Sequence, residues 1–142
     1  CHIAHDCQVG NFTVFANNAT LAGHVEIEDY VILGGFTGVH QFCRMGQSSF
    51  SAIATIIVRD VPPYVIVNGN TAKPRSINRE GLKRRGFAPE AISTLKRAYR
   101  TLYRQGHSLE EALRLLEAER EDSAEIARLL DFIRASKRGI VR

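Results

Sequence analysis

Histidine side chains are concentrated in the first part of the chain. Four of the five histidines fall between His2 and His40, and Asp6 directly follows one of them, His5. A histidine with an ordinary pKa of about 6.5 can accept a proton at cellular pH, and a carboxylate beside it orients the ring and stabilises its charged form. These side chains suit general-base catalysis if the fold brings them together, whereas a histidine that stands alone is more commonly a satisfied polar residue.

The elements that would position these side chains follow from a six-residue repeat. Residues 1–60 divide into ten hexads whose third positions are apolar except at Ser51, and whose first positions are small or β-branched. A helix with about 3.6 residues per turn cannot hold that pattern on one face, whereas short strands joined by tight corners can. Glycine or asparagine is expected at strained corners, and the candidates are Gly10, Asn17, Asn18, Gly34 and Gly46.

This repeat resembles the hexapeptide-repeat family, whose fold is a left-handed parallel β-helix with three hexads in each triangular coil. The resemblance implies coils of 18 residues. Residues one coil apart should then lie about 4.8 Å apart along the axis. His5 is expected beneath Gly23, which lies beneath Gln41, and Asp6 is expected beneath His24. The bare backbone of Gly23 would offer an N–H group to an oxyanion that develops beside His5.

The repeat ends where strong breakers begin. Pro62-Pro63 interrupts the hexads, and helical signals follow, among them Pro89 at a position suited to the first turn of a helix. The sequence therefore predicts a left-handed parallel β-helix over residues 1–72, forming the last coils of a solenoid. An α-helical C-terminal domain is predicted over residues 73–142.

The three cysteines offer neither a disulfide framework nor a zinc ribbon, because their number is odd and no two are spaced as CxxC. Cys1, Cys7 and Cys43 all fall on first positions of hexads, where we expect them to pack in the core. Because no cysteine is then placed to act as a nucleophile, the attacking group should belong to the substrate. The cysteine usage also favours a reducing compartment.

Charge is divided unevenly along the chain. Residues 1–72 hold two basic and five acidic side chains, a net charge of −3, whereas residues 73–142 hold 17 basic and ten acidic side chains, a net charge of +7. A basic helical segment can meet nucleic acid, a membrane surface or an acidic protein, or simply form a salt-bridged surface. Charge alone does not choose among these partners.

No apolar run approaches the roughly 18 residues of a membrane-spanning helix, and residues 1–6 lack the pattern of a secretory signal. We therefore expect a soluble protein. The chain begins at Cys1, without an initiator methionine and inside the repeat, so it is expected to be part of a longer protein.

Five segments carry a more specific resemblance: HIAHDC, NNATLAGHV, GGFTGVHQF, DVPPYVIVNGN and NREGLKRRGF. Together they resemble the UDP-N-acetylglucosamine 3-O-acyltransferase family, which begins lipid A biosynthesis. The resemblance implies the C-terminal portion of a cytoplasmic enzyme that transfers an (R)-3-hydroxyacyl group from acyl carrier protein to the 3-hydroxyl of UDP-N-acetylglucosamine. It implies no metal, no cofactor beyond the acyl-phosphopantetheine of the carrier, no nucleic-acid partner and no stable membrane insertion.

The resemblance also implies a homotrimer with active sites between subunits. Two features agree with it: a histidine edge for which the sequence suggests no partner helix in the same chain, and a basic second half suited to an acidic carrier protein.

The same resemblance implies roles for particular residues. His5 matches the general base, Asp6 the group that positions it, and Gly23 the backbone donor to the oxyanion. The residues implied to bind substrate are His2, His24, His40, Gln41, Asn78, Glu80, Arg84 and Arg85, the last four reaching the cleft from a neighbouring subunit. We further predict that Ile53 limits the length of the acyl chain by blocking the end of its pocket.

Other functions remain open on the sequence alone. A trimeric β-helical carbonic anhydrase would hold zinc between subunits with three histidines, and the HxxH spacing of His2 and His5 invites that comparison. The N-acyltransferase that acts later in the same pathway, an acetyl-CoA-dependent sugar acetyltransferase and a solenoid that only binds a partner are further alternatives.

Overall fold

The structure is a computed structural model that describes residues 1–142, and ten two-residue strands follow the ten hexads. These strands are β1 His2–Ile3, β2 Gln8–Val9, β3 Val14–Phe15, β4 Thr20–Leu21, β5 Glu26–Ile27, β6 Ile32–Leu33, β7 Gly38–Val39, β8 Arg44–Met45, β9 Phe50–Ser51 and β10 Ile56–Ile57. Two longer strands, β11 Val65–Asn68 and β12 Lys73–Ile77, follow them. One short strand per hexad is what the repeat predicts.

Strand pairing gives the solenoid its coil length. Three parallel ladders run along it, β1-β4-β7-β10, β2-β5-β8 and β3-β6-β9-β11, and β12 adds to the last of these as an antiparallel edge. The register pairs His2 with Thr20, Thr20 with Gly38 and Gly38 with Ile56, which are steps of one coil. The predicted fold class, a left-handed parallel β-helix followed by helices, is confirmed.

From the second coil onwards, third-position side chains fill the interior of the solenoid. Leu21, Leu33 and Met45 are at most 1% exposed, because each coil covers the apolar residues of its neighbour. The exception at Ser51 is also buried, and its hydroxyl is 2.9 Å from the hydroxyl of Thr37, so the two polar groups satisfy each other inside the prism.

The residues with positive φ at the corners of the coil are mostly not the ones expected from the sequence. The sixth residue of nine hexads has a positive φ between 56° and 67°, and this set comprises Asp6, Phe12, Asn18, His24, Tyr30, Phe36, Phe42, Ser48 and Ala54. Asn18 was correctly expected there, whereas Gly10, Asn17, Gly34 and Gly46 are outside the set. The three glycines occupy fourth positions, where the next coil approaches closely: a Cβ on Gly34 would lie 2.7 Å from the backbone of Ala52.

The helical part contains α1 Arg79–Arg84, α2 Pro89–Tyr103, α3 Leu109–Glu117 and α4 Ala124–Ala135, with a single 3-10 turn at Arg120–Asp122. Pro89 is the first residue of α2, as its position predicts. Lys73–Ile77, which was expected in the helical part, is instead a strand because it satisfies the open edge of β11. The solenoid sheet therefore extends past residue 72, and the division into two domains stays a prediction.

Asp60 holds the C-terminal segment against the solenoid. Its carboxylate accepts hydrogen bonds from the Arg44 amide at 2.8 Å and the Ser136 hydroxyl at 2.6 Å, and it is only 1% exposed. Its backbone pairs with Gly139 and Val141 on the segment after α4. The end of α4 is thereby fixed beside the corner that carries the histidines.

None of the helices combines the length and the apolar character that crossing a membrane would require.

Candidate functional site

One corner of the prism carries the histidine cluster. His5 and Asp6 turn the first coil, and Gly23 and His24 turn the second directly above them. The amide of His24 donates to the carbonyl of His5 at 3.0 Å, and the amide of Phe42 donates to the carbonyl of Gly23 at 3.1 Å. Backbone bonds between coils therefore fix the positions of the side chains, and the expected stacking is present.

His5 and Asp6 form a hydrogen-bonded pair. The Nδ1 atom of His5 lies 2.9 Å from Oδ2 of Asp6, so Nδ1–H donates to the carboxylate and Nε2 keeps its lone pair. This hydrogen bond, and then the nearby charge of His24, lower the pKa of Asp6 below its ordinary value. Asp6 therefore stays ionised at neutral pH and orients the His5 ring as a base requires.

Gly23 makes room for that ring. A Cβ atom on Gly23 would lie 2.7 Å from both Cε1 and Nε2 of His5, too close for any side chain. The N–H group of Gly23 donates to no acceptor in the chain, although the residue is buried. Because a buried amide without an acceptor is uncommon, a ligand oxygen beside Nε2 is the natural acceptor for it.

Three rings extend the cluster along the solenoid axis. The His5 and His24 rings meet edge to face at 5.1 Å, and His24 stacks on Phe42 at 4.7 Å with 8° between the planes. Nε2 of His24 is also 3.8 Å from Oδ2 of Asp6. Phe42 was not predicted as a site residue, although its place above His24 follows from the register. Its ring is half exposed and offers an apolar face to a ligand.

A groove of about 640 Å³ runs beside this column. Asp6, His24 and Phe42 line one side of it, and the residues after α4, including Lys137 and Arg138, line the other. The histidine edge itself stays exposed, as expected, and no helix packs on it. The segment after α4 reaches the far side of the groove through its anchoring at Asp60, a long-range contact that no local sequence pattern predicts.

The other candidates on the first three coils lie near the column without joining it. His2 is in β1, and His40 and Gln41 are on the third coil, above the level of Gly23. All three are exposed, and no hydrogen bond or ring contact links their side chains to the cluster. They are available to a ligand that spans several coils.

Asn78 and Arg85 lie at a different corner. Asn78 is buried, caps α1 by accepting from the amide of Gly81 at 3.3 Å, and donates to the carbonyl of Ser48 at 3.0 Å. The guanidinium of Arg85 donates to the Ser48 hydroxyl and lies 3.3 Å from the centre of the Tyr30 ring. These contacts fix both side chains against the solenoid but leave them apart from His5.

Glu80 and Arg84 are on α1 beside these two residues, and both are exposed and make no ion pair. Ile53 occupies the third corner and is 72% exposed, above Gly35 of the coil below. The predicted site residues are thus spread over all three corners, and a single chain does not bring them together.

The cluster also has donor atoms of the kinds that bind metals. His5, Asp6 and His24 each offer one ligand atom, and these atoms lie within 4.8 Å of one another. A zinc ion would need each of them about 2.0–2.2 Å from one point and free of protons. The hydrogen bond from Nδ1–H of His5 engages Asp6 and leaves Nε2 of His5 with its lone pair, an arrangement that suits proton transfer.

The cysteines take no part in the cluster. Cys43 is buried, and burial raises the pKa of its thiol to about 11, which leaves it protonated and unreactive. Cys7 is half-buried, and Cys1, on the first coil, is exposed. All three thiols are free.

A family profile described as "Udp N-acetylglucosamine O-acyltransferase; Domain 2" matches residues 60–141. An acyl-[acyl-carrier-protein]–UDP-N-acetylglucosamine O-acyltransferase of Thiobacillus denitrificans is 55% identical over 141 residues, which are 99% of this chain and 55% of that relative. The chain spans about half the length of the curated relatives it matches.

Solved structures give the same result. A UDP-N-acetylglucosamine acyltransferase of Francisella novicida superposes with a TM-score of 0.93 at 43% identity, covering 96% of this chain and 50% of that one. A UDP-N-acetylglucosamine O-acyltransferase of Moraxella catarrhalis superposes with a TM-score of 0.93 at 45% identity, covering 98% and 54%.

Proposed function

Because the chain belongs to the UDP-N-acetylglucosamine O-acyltransferase family, we propose that it supplies the catalytic corner of an enzyme that acylates UDP-N-acetylglucosamine. The donor is an (R)-3-hydroxyacyl group held as a thioester on acyl carrier protein, and the acceptor is the 3-hydroxyl of the sugar. The observation that carries this proposal is the pairing of Asp6 with Nδ1 of His5 while Nε2 lies beside the free amide of Gly23.

The reaction proceeds by general-base catalysis. Nε2 of His5 takes the proton of the sugar hydroxyl as the oxygen attacks the thioester carbonyl, and Asp6 stabilises the imidazolium that forms. The tetrahedral intermediate collapses with loss of the thiolate, which receives the proton from His5. The product is an ester, the carrier leaves as a free thiol, and the histidine returns to its neutral form.

Gly23 stabilises the intermediate in this scheme. Its N–H group makes no hydrogen bond within the chain, so it can donate to the oxyanion. Removing one such donor from an enzyme typically costs about 100-fold to 1,000-fold in rate. No residue of the chain is required as a nucleophile, and the reaction needs neither a metal ion nor a resident cofactor.

We propose that the enzyme is a homotrimer. Packing three prisms around one axis places one corner of each chain beside a different corner of its neighbour, so the residues on separate corners converge only between subunits. Arg84 and Arg85 would then approach His5 of a neighbouring chain. A guanidinium offers a planar fork of donors that matches phosphate, which both the nucleotide and the phosphopantetheine arm contain.

The remaining proposed contacts divide between the two substrates. His24 meets the acyl donor, and His2, His40 and Gln41 line the cleft. Asn78 and Glu80 join the two arginines at the part of the cleft that a neighbouring subunit supplies.

We propose that Ile53 ends the acyl pocket. Its side chain is exposed at the third corner and would face a neighbouring chain in the trimer. Replacing Ile53 with glycine should lengthen the preferred acyl chain, measured with a ladder of hydroxyacyl carrier proteins. An unchanged preference would remove Ile53 from this role.

The proposed function is tested with the full-length protein that contains this chain. Hydroxyacyl carrier proteins of different lengths are supplied with UDP-N-acetylglucosamine, and ester formation is measured. His5→Ala should lower kcat/KM by about 100-fold to 10,000-fold, the usual contribution of a positioned base. His107→Ala is the matched control, because His107 lies outside the cluster and its side chain hydrogen-bonds to Gln105.

No turnover with any chain length, or full turnover in His5→Ala, would contradict the proposal. Stoichiometric zinc in protein prepared without chelators, together with activity lost on removing it, would favour the carbonic anhydrase alternative.

A further inference from the structure

A second groove, of about 630 Å³, lies away from the histidine corner between β12, α1 and α2. Five basic side chains line it, namely Arg75, Arg79, Lys96, Arg100 and Arg104, and we call this group the basic patch. Its floor is formed by Ile77 and Tyr99, which are almost completely buried. No carboxylate lines the groove.

No carboxylate neutralises any of the five charges of the basic patch. All five side chains are exposed, and none of them forms a salt bridge. On the other side of the same helix, Arg97 pairs with Glu119 at 3.5 Å, and elsewhere Arg134 pairs with Glu117 at 2.6 Å. Five unpaired positive charges around one groove that no carboxylate lines indicate a surface that suits an anionic partner.

The arrangement of the patch favours an elongated partner over a single phosphate group. Lys96, Arg100 and Arg104 follow one another at intervals of four residues, so they form a row of about 12 Å along α2. Arg75 and Arg79 line the same groove. A row of this length matches the acidic side chains of about two turns of a helix in another protein.

The position of the basic patch indicates which partner protein would dock there. Arg79 lies between Asn78 and Glu80, two residues proposed to meet the substrates, so a partner docked on the patch would reach the proposed cleft along α1. We propose that the basic patch docks an acidic face of the acyl carrier protein while its acylated arm enters the site. This inference rests on the proposed function.

The test is made in the full-length protein. It compares a double charge reversal in the basic patch with a single charge reversal elsewhere on α2. Lys96→Glu with Arg100→Glu should raise the KM for hydroxyacyl carrier protein about tenfold or more at low salt, because two attractive contacts become repulsive. Arg97→Glu, which changes the paired face of α2, should leave that KM nearly unchanged. The difference should shrink as salt screens the charges.

A donor without the carrier protein isolates the docking contribution. With hydroxyacyl-phosphopantetheine, the double variant and the wild type should show the same KM and kcat, because the patch then has nothing to dock. An unchanged KM for the carrier in the double variant, or an equal rise in Arg97→Glu, overturns the inference and leaves the proposed function intact. Absence of wild-type turnover with every carrier donor overturns both.

Discussion

The left-handed backbone conformation at the corners of the coil determines where the side chains of Asp6 and His24 lie. A non-glycine residue with positive φ costs about 1–2 kcal/mol, yet both residues adopt it, at 60° and 61°. The coil compensates this cost with backbone hydrogen bonds to the next coil, such as that from the His24 amide to His5. Stacking of equivalent corners then brings the Asp6 carboxylate within reach of both histidine rings.

Replacing Gly23 with alanine should remove activity without unfolding the protein. The new Cβ would lie 2.7 Å from Nε2 of His5, so the ring must move away from the attacking oxygen and the Gly23 amide. We expect kcat/KM to fall by about 100-fold or more, since small displacements of catalytic groups have effects of that size. Steady-state kinetics on the full-length protein measure the loss.

Gly35 provides a matched control for that substitution. It holds the equivalent place at another corner, but the nearest atom to its Cβ would be 3.6 Å away, an ordinary contact. Gly35→Ala should therefore keep nearly full activity, and both variants should melt close to the wild type. Equal losses in the two variants would mean that alanine disturbs the corner itself and not the His5 ring.

The core of the candidate site could be predicted because the repeat converts sequence spacing into distance. His5, Asp6, Gly23 and His24 come together through a register of one coil, which follows from the hexads together with the resemblance to the hexapeptide-repeat family. Lys137 could not be placed this way. It reaches the groove through α4, whose docking depends on contacts between residues far apart in the chain.

At the scale of elements, the strands were predictable and the corners less so. The apolar third positions predicted each strand, because burial in a parallel stack demands them. The roles of Gly34 and Gly46 differ from the expectation, since those residues admit the neighbouring coil and do not supply positive φ. Lys73–Ile77 was assigned to the helical part because a basic segment next to a helix carries no strand pattern.

Asp60 links the two kinds of structure, and its loss should loosen them. Asp60→Ala removes a buried carboxylate that accepts hydrogen bonds from the Arg44 amide and the Ser136 hydroxyl. Two hydrogen bonds to a charged group contribute about 1.5–3 kcal/mol each, so we expect the free energy of unfolding to fall by about 3–6 kcal/mol. Chemical denaturation followed by circular dichroism measures the change.

Asp131→Ala is the comparison for Asp60. Asp131 also forms an ion pair, with Arg120 at 2.8 Å, but it is solvent-exposed at the surface of the helical part. Its replacement should change stability far less, because solvent screens exposed pairs. Similar losses in the two variants would show that Asp60 does not anchor the C-terminal segment.

At the scale of the whole molecule, the three corners of the prism carry complementary parts of one proposed site. His5 lies on the first corner, Arg85 packs on the second, and Ile53 protrudes from the third. A closed threefold assembly places different corners of neighbouring chains together and gives every copy the same neighbours, whereas a twofold interface pairs one surface with itself. Each site in the proposed trimer would then contain a base from one chain and arginines from the next.

Mixing two inactive variants tests this sharing directly. His5→Ala lacks the base, and Arg84→Ala lacks an exposed, unpaired guanidinium on α1, so each should be nearly inactive alone. If chains of the two kinds are unfolded together and reassembled in equal amounts, about one quarter of the interfaces should combine an intact His5 with an intact Arg84. Activity should return to about that fraction of the wild type.

A mixture of His5→Ala and Gly23→Ala is the control, because both changes affect the same corner and every interface keeps a defect. Recovery in the control, or none in the test mixture, would place the whole site within one chain.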